Sequence, residues 1–406
     1  MALPFVLSRY LRPFRSPDGG GGRLYDNGIL GRVEQLTPLQ EQIVEALWLD
    51  QTAEEQLTQL LSTHAQADVH AAITALYDRA LVFESHAAAD ALFHRLRDEL
   101  CPDIPFVDQI ELTNRCPMHC GFCPRGIPDR MQRPTGRMDL ALFERLLCQL
   151  HPQQAAYRPI ELHHLGESLL HPQIVQFVAL AHQRGLRTEL SANPSLLTAD
   201  LSRRLLDAGL GRLVLSLDGM NDDTLAQIRG PAARFSQAEA NIAALLSDVA
   251  QRGAAAPQIV LQMIALSANQ DQRQAFLQRF GNTGLPTVRA YIKPLDGPDP
   301  NAPHVTCEPL RYLCSYPFRS VVVLWDGRVV PCCRDDDAHL VLGDLNSQTL
   351  RDIWSGPAAR ELRRRHRSGD VPVGHLCHGC AWSPAAFTQS HALRHPAKAA
   401  TAPLQW

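Results

Sequence analysis

The sequence predicts an α/β protein built on parallel strands with crossover helices. From residue 106 to 293, strand-like and helix-like segments alternate, the pattern of repeated βαβ units. The first of those strands also runs directly into a loop carrying three cysteines, at the carboxyl end where barrel folds of this kind build their sites. Phe106 to Thr113 holds Val107, Ile110 and Leu112 in a short β-like run. Strand signals follow at Ile160 to Leu165, Arg187 to Ser191, Arg212 to Leu217, Gln258 to Leu266 and Val288 to Lys293. Helix signals lie between them at Pro172 to Arg184, Ala199 to Ala208, Ser236 to Arg252 and Gln270 to Phe280.

The cysteine loop reads Glu111-Leu-Thr-Asn-Arg-Cys116-Pro-Met-His-Cys120-Gly-Phe-Cys123-Pro-Arg-Gly126. Three thiolates hold three corners of a four-iron cluster and leave one iron open, whereas a structural zinc or a closed electron-transfer cluster wants four protein ligands. The bland alternatives are a zinc knuckle with a distant fourth ligand, or three unrelated buried thiols. The spacing of three and then two residues, with Phe122 before the third cysteine, resembles the signature of the radical S-adenosylmethionine (radical SAM) enzymes. That resemblance implies a partial (β/α)6 radical SAM barrel and a 4Fe-4S cluster bound with SAM through Cys116, Cys120 and Cys123. In that family one electron splits the SAM sulfonium to give a 5′-deoxyadenosyl radical, which abstracts a substrate hydrogen. The cofactor carries the chemistry and the protein positions it and excludes water.

Four further places match the family's SAM-binding pattern. Leu165-Gly166-Glu167-Ser168 resembles the segment that holds the SAM amino group, with Leu165 where a glycine is usual, so Gly166 and Glu167 are expected contacts. Ser191-Ala-Asn193-Pro stands where Thr-Asn-Gly is common, which makes Ser191 a ribose candidate. Ser216-Leu-Asp218-Gly219 is followed by Ile228-Arg229-Gly230, and the resemblance places Ser216 and Arg229 at the SAM carboxylate or ribose. An arginine suits a carboxylate because its planar fork donates two parallel hydrogen bonds. Phe122 completes the set of expected cofactor contacts.

A second cysteine group lies downstream at Cys314, Cys332-Cys333 and Cys377-His-Gly-Cys380. A β-hairpin is expected between its members, Ser320 to Leu324 and Arg328 to Val330 around Trp325-Asp326-Gly327. Zinc would satisfy four thiolates as well as iron and sulfur would. After a radical SAM barrel, however, the pattern resembles the SPASM domain, and Leu342-Gly-Asp-Leu-Asn-Ser-Gln-Thr-Leu-Arg-Asp-Ile-Trp354 is typical of it. No cysteine follows Cys380, so the resemblance is to the shortened Twitch form, with one auxiliary 4Fe-4S cluster held by Cys314, Cys332, Cys377 and Cys380. Cys333 or Cys307 remains an alternative ligand, and Cys101 and Cys148 read as buried small hydrophobes.

A fully ligated auxiliary cluster has no open iron for substrate, so its expected roles are support or electron traffic. No residue identifies itself as catalytic; Cys307 and Cys333 are candidate hydrogen donors if unligated. Arg289, Tyr291 and Lys293 share one face of a strand and would meet substrate if that face is interior. His163 and His164 are adjacent on another strand signal, so one is expected to face inward, as a packed and hydrogen-bonded histidine.

The first hundred residues form a separate region. Ser16 to Gly22 reads as a flexible linker after a short arm, followed by strand signals in Arg23 to Glu34 around Asp26-Asn27-Gly28. Helices are expected at Pro38 to Leu49, Ala53 to His64 and Ala67 to Val82, the outline of a winged-helix-like module. Residues 23 to 100 hold five basic and thirteen acidic side chains, a balance that excludes a phosphate-binding surface. Such modules ahead of SPASM enzymes resemble the element that grips the leader of a ribosomally made peptide by adding a strand to its sheet. The expected organisation is therefore an arm and linker over 1–22, this module over 23–100, the barrel over 101–300, the SPASM/Twitch domain over 301–385 and a tail over 386–406. The basic cluster Arg360 to Arg367 reads as a solvated helix face.

With 406 residues, 45% hydrophobic and 20% charged, the composition is that of an ordinary globular protein with room for three domains. A net charge of −3 argues against a general nucleic-acid or membrane role. Met1 to Leu7 is too short for a signal sequence, and eleven cysteines without one are expected in a reducing, cytoplasmic compartment. The expected function is a radical SAM oxidoreductase that matures a peptide by dehydrogenation or cross-link formation, with a flavodoxin- or ferredoxin-like electron donor. The alternatives are dehydrogenation or epimerisation of a sugar, aminocyclitol or nucleoside intermediate, and a non-catalytic metal-dependent regulator.

Overall fold

A computed structural model of the chain describes residues 6–7, 11–15, 23–27, 32–48, 60, 63–79, 81–85, 87–89, 91–92, 95, 101–295, 314, 316–368, 370–378 and 380. These fall into two compact units, Met1–Cys101 with Val305–Phe318 and Arg364–Trp406, and Pro102–His304 with Arg319–Arg363.

In the first unit, β1 (Val6–Leu7) precedes three strands, β2 (Leu11–Arg15), β3 (Arg23–Asn27) and β4 (Arg32–Gln35), which form an antiparallel sheet in that order. Val6–Leu7 and Leu11–Arg15 therefore correct the expected arm, because both are paired strand; the linker at 16–22 lies outside the described residues. Helix α1 (Pro38–Trp48) and helix α2 (Gln66–Asp78) follow, then β5 (Val82–Phe83), antiparallel to β1. The α2 residues Val69, Ala72, Ile73 and Leu76 recur at helical spacing and are buried against Ile43, Val44 and Leu81. Most of the helix expected at Ala53 to His64 lies outside the described residues.

The second unit opens with β6 (Phe106–Ile110) and continues through α3 (Leu140–Leu147), α4 (Gln154–Tyr157), β7 (Ile160–Glu161), α5 (Ile174–Gln183) and β8 (Thr188–Ala192). Next come α6 (Ala199–Asp207), β9 (Arg212–Ser216), α7 (Asp222–Arg229), α8 (Phe235–Arg252), β10 (Gln258–Ala265), α9 (Arg273–Phe280) and β11 (Val288–Pro294). Strands β6 to β11 are parallel and sequential, as the alternation predicts. Three of the helices start at ordinary side-chain caps: Asp139 accepts the Ala141 amide, Thr198 that of Leu201 and Asn221 that of Thr224. Phe143 of α3 and Phe177 of α5, both fully buried, meet edge to face at 4.8 Å.

The C-terminal hairpin, β12 (Ser320–Val323) and β13 (Arg328–Val330), forms as expected, with Val322 opposite Val330. It does not stand apart from the barrel. Strand β12 pairs in parallel with the free edge of β6, and β14 (Gly343–Asp344) follows β13. Among the described residues this makes one nine-stranded sheet in the order β11-β10-β9-β8-β7-β6-β12-β13-β14. The register shifts between Val321 and Val322, leaving Asp108 as the extra residue on β6, where it accepts a 2.7 Å hydrogen bond from Ser320 Oγ. Helix α10 (Leu350–Trp354) and helix α11 (Pro357–Ser368) are the last described helices. Arg363 corrects the expected solvated face of α11: it is buried, 4.6 Å from the Trp354 ring centroid, and donates to the Trp354 carbonyl.

A buried ion pair ties the hairpin to the strand that leads into the cysteine loop. Glu111 is paired bidentately with Arg133, and their side chains are 0% and 2% exposed. Arg133 Nε donates to the Asp336 carbonyl, and the amides of Gln132 and Arg133 donate to Asp337 Oδ1 at 2.8 Å. The turn just after Cys332-Cys333 thus holds the segment just after the three-cysteine loop. Removing one partner strands the other charge in the core. Arg133→Met should lower unfolding free energy by about 3–5 kcal/mol, and Glu111→Leu combined with it should restore a large part. Urea unfolding of the single and double variants measures this; a single-variant loss below about 1 kcal/mol would remove the pair's structural role.

Candidate cofactor site

The cysteine loop is held from both sides by backbone contacts. The Glu167 amide donates to the Arg115 carbonyl at 2.8 Å, and the His119 amide donates to the Arg229 carbonyl at 2.8 Å. Gly166 has φ +123°, and a Cβ there would lie 2.4 Å from the Thr113 carbonyl oxygen, so only glycine lets this loop approach. That explains why Leu165 is tolerated where the resemblance has a glycine: the close approach falls on Gly166, while Leu165 is buried apolar surface. Asn114 adds to the frame by accepting from the Gly136 amide and donating to the Pro134 carbonyl.

Cys116, Cys120 and Cys123 border a cavity of about 200 Å³, and Phe122, Gly166, Glu167, Ser191, Ser216 and Arg229 border the same cavity. All six expected cofactor contacts thus meet the three cysteines, although they come from the ends of β6, β7, β8 and β9 and from α7. Among the described residues no three His, Cys, Asp or Glu side chains converge as a compact group, and the three thiols lie around the cavity wall. Burial pushes the Cys116 thiol up to about 12, opposed by the Met118 amide and reinforced by Glu167 and the two other thiols. Burial also raises Cys120 and Cys123, although Arg229 draws both back. Iron would take all three as thiolates, with release of their protons.

Glu167 is 4% exposed and accepts the Asn193 amide at 2.8 Å and the Leu169 amide at 3.1 Å. Burial nevertheless pushes its carboxyl up to about 7. A carboxylate held so close to neutrality is suited to an ammonium group that enters with a ligand. Asn193, 3% exposed, uses Oδ1 on the Ser195 amide and leaves Nδ2 buried and without an acceptor at the cavity wall. The cysteine set, the acid and the orphaned amide fit a cluster with SAM.

Arg229 borders the cavity and is anchored there by a buried acid. Its Nε donates to Asp218 Oδ2 at 2.7 Å and Nη2 lies 2.5 Å from the same oxygen, while Nη1 is 4.0 Å from Cys120 Sγ. Asp218 is fully buried and also accepts the Ile264 amide through Oδ1. Asp218 holds the guanidinium charged against its burial.

Both His163 and His164 border the cavity, which corrects the expectation that only one faces inward: β7 ends at Glu161, so strand alternation does not apply beyond it. His163 Nδ1 accepts the Ser191 amide, and His164 Nδ1 lies 3.0 Å from Gln109 Oε1. Burial lowers His164 to about 3. Of the β11 candidates, Tyr291 donates to Gln262 Oε1, and Gln262 donates to Ser216 Oγ at 2.8 Å, so Tyr291 reaches the cavity wall through one intermediary. Arg289 is exposed and donates to the Pro286 and Val288 carbonyls.

Of the other expected ligands, Cys332 belongs to the second unit, and Cys314, Cys377 and Cys380 to the first; none forms a disulfide. The Cys333 thiol is pushed up to about 12 by burial and then by Glu161. Cys307 lies outside the described residues. Cys148 corrects the buried reading: it caps α3 in an exposed position near Arg184, and Cys101 is half-buried. Sequence reading passed over Arg125, whose place two residues after Cys123 was the available signal; it too borders the cavity.

Family models match two stretches of the chain, the Radical SAM superfamily over residues 110–248 and SPASM, an iron-sulfur cluster-binding domain, over residues 314–381. The chain belongs to the radical SAM superfamily and is an iron-sulfur enzyme of that class with a C-terminal SPASM domain. The first domain implies SAM and a 4Fe-4S cluster, the second auxiliary iron-sulfur binding. The chain is 24% identical over 274 residues to the S-adenosyl-L-methionine-dependent 2-deoxy-scyllo-inosamine dehydrogenase of Niallia circulans, covering 67% of this chain and 91% of that one. It is 24% identical over 321 residues to the PqqA peptide cyclase of Ruegeria pomeroyi, covering 70% and 81%. Among solved structures, Streptococcus suis SuiB bound to precursor peptide SuiA aligns over 88% of this chain and 90% of that one, at 12% identity and a TM-score of 0.44. No described helix is long and apolar enough to cross a membrane.

The raised carboxyl of Glu167 has a measurable sign. In cluster-free protein the neutral acid is favoured by folding, so its contribution is complete below the ordinary value of 4.5 and is lost as pH rises through about 7. Glu167→Gln does not ionise. The stability of wild type relative to Glu167→Gln should therefore fall between pH 4.5 and 8, by up to about 3 kcal/mol, in parallel urea titrations; a flat difference would contradict the buried, neutral acid.

Proposed function

We propose that Cys116, Cys120 and Cys123 hold a 4Fe-4S cluster, that SAM completes it beside Glu167, and that the enzyme modifies a ribosomally made peptide by dehydrogenation or cross-link formation. When bound, the cluster supplies the electron that cleaves SAM and so generates the group that abstracts a substrate hydrogen. The chain's own residues do the positioning. Glu167 accepts from the SAM ammonium, Gly166 keeps the backbone close, and Ser191, Asn193 and Ser216 offer polar atoms to the ribose. The β6-to-β9 strand ends enclose these groups and keep water from them. Cys314, Cys332, Cys377 and Cys380 are proposed to ligate one auxiliary 4Fe-4S cluster, which would take an electron from the substrate radical and make the net change a two-electron oxidation.

The observation that carries the peptide reading is the antiparallel sheet β2-β3-β4 of the first unit. Its outer strands β2 and β4 each pair on one side among the described residues, so each offers an edge to an extended peptide. Similarity to a PqqA peptide cyclase supports the same reading. A second reading is a polar small molecule, such as a sugar, aminocyclitol or nucleoside. The half-exposed ion pairs of Arg158 with Glu161 and of Arg212 with Glu189, at β7, β8 and β9, favour it, as does similarity to an inosamine dehydrogenase.

Paired mass spectrometry of peptide and small-molecule extracts from cells with and without this chain separates the two. The peptide reading predicts a peptide lighter by about two mass units, with binding lost when residues 1–100 are deleted. A change confined to a small metabolite would overturn it in favour of the second reading.

A further inference from the structure

The segment after the three-cysteine loop meets the turn after Cys332-Cys333 in a contact that holds both backbones against their local preference. Among the described residues two non-glycine residues have positive φ, Asp129 at +59° and Ala338 at +58°, and they stand on the two sides of this contact. Asp129 follows Pro128 in a turn closed by the Arg130 amide on the Ile127 carbonyl, at the position where such turns favour glycine or asparagine. Ala338 has no polar side chain to ease a left-handed backbone. Asp335 accepts the amides of His339 and Leu340 just after it, at 2.7 and 2.8 Å, and Asp337 is engaged just before it. Strain kept on both sides of one contact marks a position that its surroundings over-determine.

Asp337 carries the contact. Its Oδ1 accepts the amides of both Gln132 and Arg133 at 2.8 Å, and no ion pair engages it among the described residues. Beside it the Asp336 carbonyl accepts Arg133 Nε at 2.8 Å, and Asp336 Oδ2 accepts Arg130 Nε at 3.0 Å. Main-chain bonds continue from this point in both directions. Toward the loop, Arg130 is tied to Ile127, and the amides of Gly126 and Ile127 donate to the Cys123 carbonyl at 2.8 and 3.2 Å. Toward the hairpin, the Asp335 amide donates to the Cys332 carbonyl at 3.2 Å. Cys123 and Cys332 are therefore joined by a run of bonded residues whose middle member is one carboxylate. A residue of the cavity wall lies against the same turn, since His164 faces the Asp335 backbone. Seating the hairpin does not itself call for Asp337, because the Glu111–Arg133 pair and the Asp336 carbonyl already fix it on the β6 edge.

We propose that Asp337 is a positioning residue for the three-cysteine loop, and that through it iron-sulfur binding at Cys332 tightens the binding of SAM at the first cluster site. The inference rests on the radical SAM reading of the cavity and on Cys332 as an auxiliary ligand. A ligand at Cys332 fixes the start of the turn, the turn fixes Asp337, and Asp337 fixes the two amides that end the cysteine segment. The coupling is reciprocal, so an occupied first site also favours the loaded state at Cys332. The competing role for Asp337 is purely structural, in which its loss and the loss of Cys332 act independently.

The test uses the full chain, reconstituted anaerobically with iron and sulfide, as wild type, Asp337→Ala, Asp337→Asn, Cys332→Ala and the double variant Cys332→Ala/Asp337→Ala. Iron content is measured first. SAM affinity is then read from the change SAM makes in the electron paramagnetic resonance signal of the reduced protein, to which a cluster with an open iron responds. Asp337→Ala and Cys332→Ala should each weaken SAM binding about 5- to 20-fold. The double variant should be within about twofold of the weaker single variant, because both changes remove one coupling. Asp337→Asn should stay within about twofold of wild type, since its Oδ1 still accepts two amides. Where Asp337→Ala does not fold, Arg130→Gln opens the same contact at a side chain that is 52% exposed; it should weaken SAM binding in the wild-type background and leave it unchanged in Cys332→Ala. Unchanged affinity in Cys332→Ala, multiplying effects in the double variant, or Asp337→Asn as weak as Asp337→Ala would overturn the proposal. About four irons per wild-type chain would overturn the auxiliary reading of Cys332, and the coupling with it. Failure of wild type to bind SAM would instead overturn the radical SAM reading of the cavity.

Discussion

The Glu111–Arg133 pair is the constraint on which the rest of the second unit depends. Glu111 is the residue that follows β6, five positions before Cys116, and its carboxylate is fully enclosed. An ion pair so buried gains little net stability over apolar residues of the same size, but neither charge can be left alone. It therefore acts as a registration device. Arg133 reaches Glu111 only if the segment after the cysteine loop folds back, and it reaches the Asp336 carbonyl only if the hairpin lies on the β6 edge. Trp325, at the hairpin turn, donates its amide to the same Glu111 and covers Gly136 so closely that a Cβ there would lie 2.3 Å from the indole.

Around that anchor the site is assembled from main chain more than from side chains. The Gly166 approach to Thr113 and the Arg229 carbonyl bond to His119 fix the two flanks of the cysteine loop. Side chains then need only to face the cavity. Asp218 shows the economy of this plan: one carboxylate holds Arg229, and its other oxygen holds the end of β10, so two strand ends and a helix end share a single buried acid.

Local chemistry was legible from sequence, and long-range pairing was not. The strands β6 to β11 could be read because alternating segments of the right length leave few other topologies. That the three cysteines and six further residues would border one cavity could be read because each sits in a short motif at a strand or helix end. The parallel docking of β12 on β6 joins residues more than two hundred positions apart, and hydrophobic pattern carries no record of which edge a hairpin will cover. Arg125 went unread because nothing local distinguishes an arginine that borders the cavity from one that does not. The same blindness applied to His163 and His164, whose shared access to the cavity follows from the early end of β7 at Glu161.

Iron and sulfide content of the anaerobically reconstituted chain, compared with a variant in which Cys116, Cys120 and Cys123 are all replaced by alanine, tests the central claim most directly. The account predicts about eight irons per chain in wild type and about four in the variant, with SAM cleavage on reduction only in wild type. Equal iron in the two proteins, or SAM cleavage that survives the triple substitution, would contradict the assignment of this loop as the cluster site.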